Sequence, residues 1–346
     1  MKQTLCLNMI VKDEADTIGI ALASVKNLID YWVICDTGST DNTKEIIQEA
    51  LKDIPGELVE HDWVDFGTNR TKAIKAAQGK ADFILLMDAD WSVQKNFDLP
   101  EITADVCMMT FEGPLDWRLP GIVRDGLPFY WYGRIHETLF CELDATREPF
   151  DALSFINRAT QEDGEQSLER NLKVLLEDWN EIPSPRTAFY LANTYTEMGL
   201  DDKAVEFYTK RLSLGGSKDE IWFSQYQIGR IRDDVDELVK AWHMGPHRVE
   251  PLYYFAKHFR ERQMFKAGLL FAETGIKFEY PENDTMFVDR EIFVYRIMFE
   301  FALCAFYCDR KDDAKMVFEY LYTLEGLPED IFEACENALG IKEMKV

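Results

Sequence analysis

FILLMDADW, residues 83–91, places an apolar run directly before two carboxylates. Phe83 to Met87 reads as a buried strand, because a short apolar run bounded by polar residues suits the core of a parallel sheet. Asp88 and Asp90 follow with only Ala89 between them, and each carboxylate raises the cost of ionising the other. A cation between or beside them removes that repulsion. The stretch therefore points to a metal and a phosphate-bearing ligand at the mouth of a sheet.

Working outward, residues 4–11, 31–36 and 56–63 read as three earlier strands. The intervals between them carry helical spacing, as in Ile18, Leu22, Val25 and Leu28. Thr40 or Asp41 is placed to cap the second helix. This alternation predicts an α/β domain with a mostly parallel, doubly wound sheet. Ligands of such sheets sit beyond the carboxyl ends of the strands. Three strand ends carry carboxylates there: Lys12–Glu14, Asp36–Asp41 and Asp88–Asp90. Gly38 gives a permissive backbone just before a helix start, a turn that presents amides to a phosphate or ribose. The same turn is equally well explained as a plain strand-to-helix connection capped by Asp41. Neither a phosphate-binding G-x-x-x-x-G-K nor a G-x-G-x-x-G is present. An acidic strand end suits ribose hydroxyls, which leaves the phosphates to a metal at Asp90 and to Arg70.

The chain has 346 residues, 47% hydrophobic and 13% aromatic, enough for two packed domains. Its net charge is −25, spread evenly over both halves. Such a surface disfavours broad binding of nucleic acid. Seven cysteines without a C-x-x-C pair suggest free thiols in a reducing compartment. Cys304 and Cys308, four apart, fit helix packing. The apolar run at the N-terminus is too short for a signal peptide or a membrane span, so the expectation is a soluble, cytoplasmic protein.

The segments MIVKDEADTIGIALASV, VICDTGSTDNTKEII and FILLMDADW, in this order and spacing, resemble the N-terminal half of glycosyltransferase family 2, the inverting enzymes of GT-A fold. The resemblance covers about residues 3–145. It implies a nucleotide-sugar donor, usually a UDP-sugar, bound with Mn²⁺ or Mg²⁺, and a hexosyl- or pentosyltransferase. By the family pattern Val11, Lys12 and Glu14 lie near the nucleoside, and Asp36 contacts base or ribose. Asp88 and Asp90 resemble the D-x-D pair, the first near the ribose and the second on the metal. DFGTNRTKA resembles the helix that brings an arginine, Arg70, toward the donor. Trp91 departs from the pattern, since many relatives carry Glu there. An inverting mechanism also needs a base on the acceptor side. In related sequences an H-E or E-D pair at a helix start occupies the stretch YWYGRIHETLF (130–140). Glu137 is the expected base and His136 an expected ligand of metal or diphosphate; a surface pair capping a helix is the alternative. Trp117, Tyr130, Trp131 and Tyr132 suit either a sugar face or packing.

From about residue 166 the strand signals end and amphipathic helices take over, which places the domains at residues 1–160 and 161–346. LANTYTEMGLDDKAVEFY (191–208) resembles the tetratricopeptide repeat, with Leu191, Ala192, Tyr195, Ala204 and Tyr208 at its offsets. Its small–small pair recurs as Gly229/Ala241, Ala256/Gly268 and Ala302/Ala314, which implies an irregular solenoid. Two functions follow. One is a transferase whose repeats recognise an acceptor, a polypeptide or another hydroxyl or thiol acceptor, with hydroxymethylated phage DNA bases as an alternative. The other is a binding scaffold with an inactive transferase-like domain. For the repeats themselves the alternative to binding an extended chain is that they only buttress the catalytic domain or form a homodimer. DADWS grazes an aspartyl phosphatase motif, but three strands precede it where that nucleophile ends the first.

Overall fold

The computed structural model describes residues 2–112, 117–158, 161–281 and 286–340. The chain divides into two compact units, Met1–Glu177 and Asp178–Val346. The expected boundary involves residues 159–160, which lie outside the described residues. The division between the units falls within the helix Gln161–Glu181.

The first unit begins as the alternation predicts: β1 (Leu5–Val11), α1 (Ile18–Val25), β2 (Tyr31–Asp36), α2 (Thr43–Ala50), β3 (Gly56–Glu60), α3 (Phe66–Ala77) and β4 (Phe83–Leu86). Then come β5 (Trp91–Lys95), β6 (Val106–Glu112), β7 (Trp117–Arg124), β8 (Phe129–Tyr132), β9 (Thr138–Cys141), β10 (Arg147–Asn157) and α4 (Gln161–Glu181). One sheet runs in the order β3-β2-β1-β4-β7-β6-β10-β5. Its β3, β2, β1 and β4 are mutually parallel, whereas β7 is antiparallel to both β4 and β6 and the far edge is an antiparallel β10–β5 pair. The sheet is thus mixed, with its parallel part confined mainly to the predicted strands.

Alternation along β1 assigns the two faces. Leu5, Leu7, Met9 and Val11 join the cluster that holds Ile18, Leu22 and Val25 of α1 and Ile47 of α2. Cys6 of β1 joins the opposite cluster with Ala73, Ile74 and Ala77 of α3. The buried Asn8 side chain donates to the carbonyls of Val33 (3.1 Å) and Ala73 (2.9 Å), tying α3 to the sheet. Asp65 caps α3 by accepting from the Thr68 amide at 2.7 Å. The helix that carries Arg70 is therefore fixed at its start and along its buried face.

The second unit is helical. α5 (Pro185–Glu197) pairs with α6 (Asp201–Leu214), α7 (Lys218–Arg232) with α8 (Val235–Met244), and α9 (Glu250–Glu261) with α10 (Phe265–Gly275). After a π-helical turn, Ile292–Arg296, α11 (Ile297–Tyr307) pairs with α12 (Lys311–Tyr322), and α13 (Glu329–Leu339) follows. Each predicted small–small pair has one member on each helix of a hairpin. A Cβ on Gly229 would stand 2.8 Å from the Leu238 backbone nitrogen, and one on Gly268 3.0 Å from the Ala256 carbonyl oxygen. Only small residues allow that approach. Cys304 is buried and Cys308 half-buried, both as free thiols. No helix among the described residues is long and apolar enough to cross a membrane.

Candidate active site at the carboxyl edge of the sheet

β1, β2 and β4 run parallel, so their loops emerge at one edge. Val11 ends β1; its carbonyl accepts from the amide and hydroxyl of Thr37 at 2.9 and 3.1 Å. Lys12 is exposed and Glu14 half-buried. The Glu14 amide donates to the Thr43 hydroxyl at 2.8 Å, and across the same two loops the Asp13 carboxylate accepts from the Thr40 amide and the Asp41 carboxylate from the Ala15 amide. These bonds join the turns after β1 and β2 into one rim.

Asp36, at the end of β2, is only 1% exposed. Its Oδ1 accepts from the amides of Gly38 and Ser39, both at 2.9 Å, while its buried Oδ2 has no hydrogen-bond partner among the described residues. A buried carboxylate oxygen left without a donor is costly, and here it marks a place for one. Gly38 adopts φ +107°, which its turn requires and which only glycine reaches without strain.

Arg70 of α3 bridges two carboxylates. Its Nη1 lies 2.5 Å from Asp88 Oδ1, and its Nε lies 2.5 Å from Glu137 Oε1. All three side chains are largely buried, at 16%, 23% and 12% exposure. Burial alone would lower the proton affinity of the guanidinium, but the two carboxylates more than reverse that and raise it. The Trp131 ring lies under the guanidinium at 5.6 Å. Arg70 and Trp131, with Asn8 and Leu86, line a cavity of about 10 Å³, room for roughly one water. A wider cleft of about 660 Å³ opens along another face of α3, beside Lys72, Lys75 and Tyr130. It includes none of the carboxylates expected to meet a donor.

Asp90 behaves differently from Asp88. It has no cation within ion-pair distance among the described residues, and burial, then Asp88 and Glu14, push its carboxyl up to about 6. The opening pair is thus divided: Arg70 neutralises one aspartate, and the other keeps an unfavourable excess of negative charge. Among the described residues no three His, Cys, Asp or Glu side chains are arranged to hold a metal. The donor set nevertheless fits a hard divalent cation that takes one carboxylate from the chain and further oxygens from its ligand.

The stretch 130–140 corrects one expectation. It forms no helix start; β8 and β9 are the two strands of a hairpin, and His136 and Glu137 lie in its turn. His136 takes φ +48° there, a left-handed conformation. The hairpin is fastened to α3 at three points. The Phe66 amide donates to the Arg134 carbonyl (3.1 Å) and the Trp131 amide to the Thr71 hydroxyl (2.9 Å), and Gly67 faces the Gly133 carbonyl. Thr71 and Gly67 were not singled out from sequence, although a glycine inside a helical pattern signals close approach. Of the aromatics, Tyr130 stacks on Phe140 at 5.9 Å, so it serves packing within the hairpin. Tyr132 is exposed. The side chain of Trp117 lies outside the described residues.

Residues 6–107 match the sequence model of glycosyl transferase family 2. The first unit therefore carries a family 2 glycosyltransferase domain. A tetratricopeptide repeat-containing protein of Synechococcus elongatus is 41% identical over 110 residues, 29% of this chain and 25% of that protein. This chain thus spans about a quarter of the curated relative it matches. Solved structures that are similar include the tetratricopeptide protein YrrB, described with an unusual peptide-binding site, at 16% identity and TM-score 0.36. That match covers 52% of this chain and 86% of YrrB. Another is glucosyl-3-phosphoglycerate synthase from Mycobacterium tuberculosis, solved with Mn²⁺, UDP and its product, at 19% identity and TM-score 0.22. It covers 26% of this chain and 34% of that one.

Proposed function

We propose that the first unit is a metal-dependent inverting glycosyltransferase that takes a sugar from a nucleotide-sugar, a UDP-sugar by preference, and passes it to a polypeptide acceptor that the helical repeats help to hold. The observation that carries this reading is Arg70, which joins Asp88 and Glu137 in one buried cluster beside Asp90. A structural ion pair would need one carboxylate; this cluster gathers a donor-side and an acceptor-side carboxylate from elements far apart in sequence.

In the proposed reaction Asp36 Oδ2 accepts a hydrogen bond from the donor's base or ribose. Val11, Lys12 and Glu14 line the nucleoside, and Asp88, held by Arg70, meets a ribose hydroxyl. Asp90, with His136 as the second candidate, would hold Mn²⁺ or Mg²⁺; the bound cation supplies Lewis-acid stabilisation of the leaving diphosphate. Glu137 takes the proton from the acceptor hydroxyl or thiol as that atom bonds to the anomeric carbon from the face opposite the departing diphosphate. Arg70 holds Glu137 in place until a phosphate competes for the guanidinium.

The test is a panel of nucleotide-sugars with and without Mn²⁺, scored for hydrolysis and for melting temperature. One donor should be hydrolysed slowly and should raise the melting temperature, because a ligand bound only to the folded state stabilises it. If no donor is hydrolysed and none shifts the melt, the catalytic reading fails and a binding scaffold remains.

A further inference from the structure

The interval between Ala256 and Ala302 is the longest between successive repeats. Within it Met286–Asp289 has no regular secondary structure and lies on residues of three earlier elements. The Phe287 ring stacks on Phe223 of α7 at 4.4 Å and tilts against Phe189 of α5 at 5.5 Å. Val288 is buried. The main chain of the segment is also recognised. Arg248 donates to the carbonyls of Met286, at 3.3 Å, and Phe287, and Glu250 at the start of α9 accepts from the Asp289 amide at 3.3 Å. Arg248 and Glu250 are themselves a buried ion pair, 3.0 Å apart and 4% and 0% exposed.

Three points set this segment apart from an ordinary loop. Arg248 and Glu250 grip its main chain, the mode by which proteins hold peptides of varied sequence, with side-chain pockets adding selectivity. A buried ion pair is tolerable only while its remaining polar atoms are hydrogen-bonded, so Arg248 and Glu250 need hydrogen-bond partners whether or not this segment supplies them. Phe287 adopts φ +62°, a left-handed conformation that a bulky residue holds only under constraint from its surroundings. The surface is well made for a peptide, and its present occupant is strained.

We propose that Phe189, Phe223, Arg248 and Glu250 form a polypeptide-binding site, and that Met286–Asp289 is its internal occupant, displaced by a partner chain presenting an aromatic residue followed by an aliphatic one. Such binding does not depend on sugar transfer. A tethered occupant competes at an effective concentration on the order of millimolar, so the unmodified protein binds a free peptide of the same sequence weakly.

The probe is a fluorescein-labelled peptide MFVDRE, copying residues 286–291, titrated against the full chain and its Phe287→Ser variant by anisotropy. The variant should bind at least ~10-fold more tightly, the cost of one lost ring in the competing segment. A peptide with Ser in place of Phe should not bind. Absence of binding to a folded Phe287→Ser variant overturns the proposal. If that variant does not fold, hydrogen exchange in the unmodified protein decides. The Asp289 amide should exchange by local opening, faster than amides inside α9, and faster still with excess peptide. Exchange only through global unfolding would make the segment a fixed part of the core and overturn the proposal.

Discussion

Asp90 shows how one residue couples the site to stability. Its carboxyl is pushed up to about 6 by burial and by the carboxylates of Asp88 and Glu14, while an unfolded aspartate titrates near ~4. Below that range both states are protonated and nothing is lost. As pH rises through the window from about 4 to 6, the unfolded carboxyl ionises first, so stability falls and stays low above it. Asp90→Asn removes the penalty. At pH 7 the variant should be more stable by up to about 3 kcal/mol, an advantage that shrinks towards zero at pH 4 in urea melts. The same change should cut transfer ~10²–10³-fold. A variant with normal turnover would show that Asp90 does not meet the diphosphate, and one without the pH-dependent gain that its charge is not strained. The asymmetry between Asp88 and Asp90 was not legible in the sequence. It arises from Arg70, whose position relative to both depends on how α3 crosses the sheet.

At the scale of elements, β1, β2 and β4 were legible because each is a short apolar run buried on both faces, and β3, a half-buried edge strand, because helices of regular spacing set it off. The later strands were not. β10 shifts register between Pro149 and Ser154 and β7 against β6 between Cys107 and Met108, and such irregularities break the alternation by which a strand is recognised. The pair His136–Glu137 was expected at a helix start only because the family resemblance implied one, and it lies instead in the turn of the hairpin β8–β9. Its contact with α3 can be tested at one atom. A Cβ at Gly67 would stand 2.2 Å from the Gly133 carbonyl oxygen, a backbone atom that cannot swing aside. Gly67→Ala must therefore lift the hairpin or shift α3, at a cost of about 1–3 kcal/mol. Because Arg70 lies on one element and Glu137 on the other, turnover should fall severalfold or more while donor affinity, set largely by Asp36, changes little. Calorimetry and steady-state kinetics with donor titration read both. Unchanged turnover in a destabilised variant would mean that the α3–hairpin contact holds the fold without holding the base.

Over the whole molecule, every residue proposed to meet the donor lies between Val11 and Glu137, inside the unit that ends at Glu177. The helical hairpins of the second unit have their own core, built from Trp222, Leu252, Phe255, Phe301 and their neighbours. A ligand stabilises whatever must unfold to release it, by about 2.7 kcal/mol at a hundred times its dissociation constant. With saturating donor, native-state hydrogen exchange should therefore slow ~100-fold for globally protected amides of β1 and β2, such as Leu7 and Val33. Amides in α5 to α12 should keep their rates if the second unit opens on its own. Equal slowing in both would mean that the units unfold together, so that the repeats also support the donor site. Slowing confined to the helical unit would move the nucleotide out of the sheet edge and overturn the assignment of Asp36, Asp88 and Asp90 together.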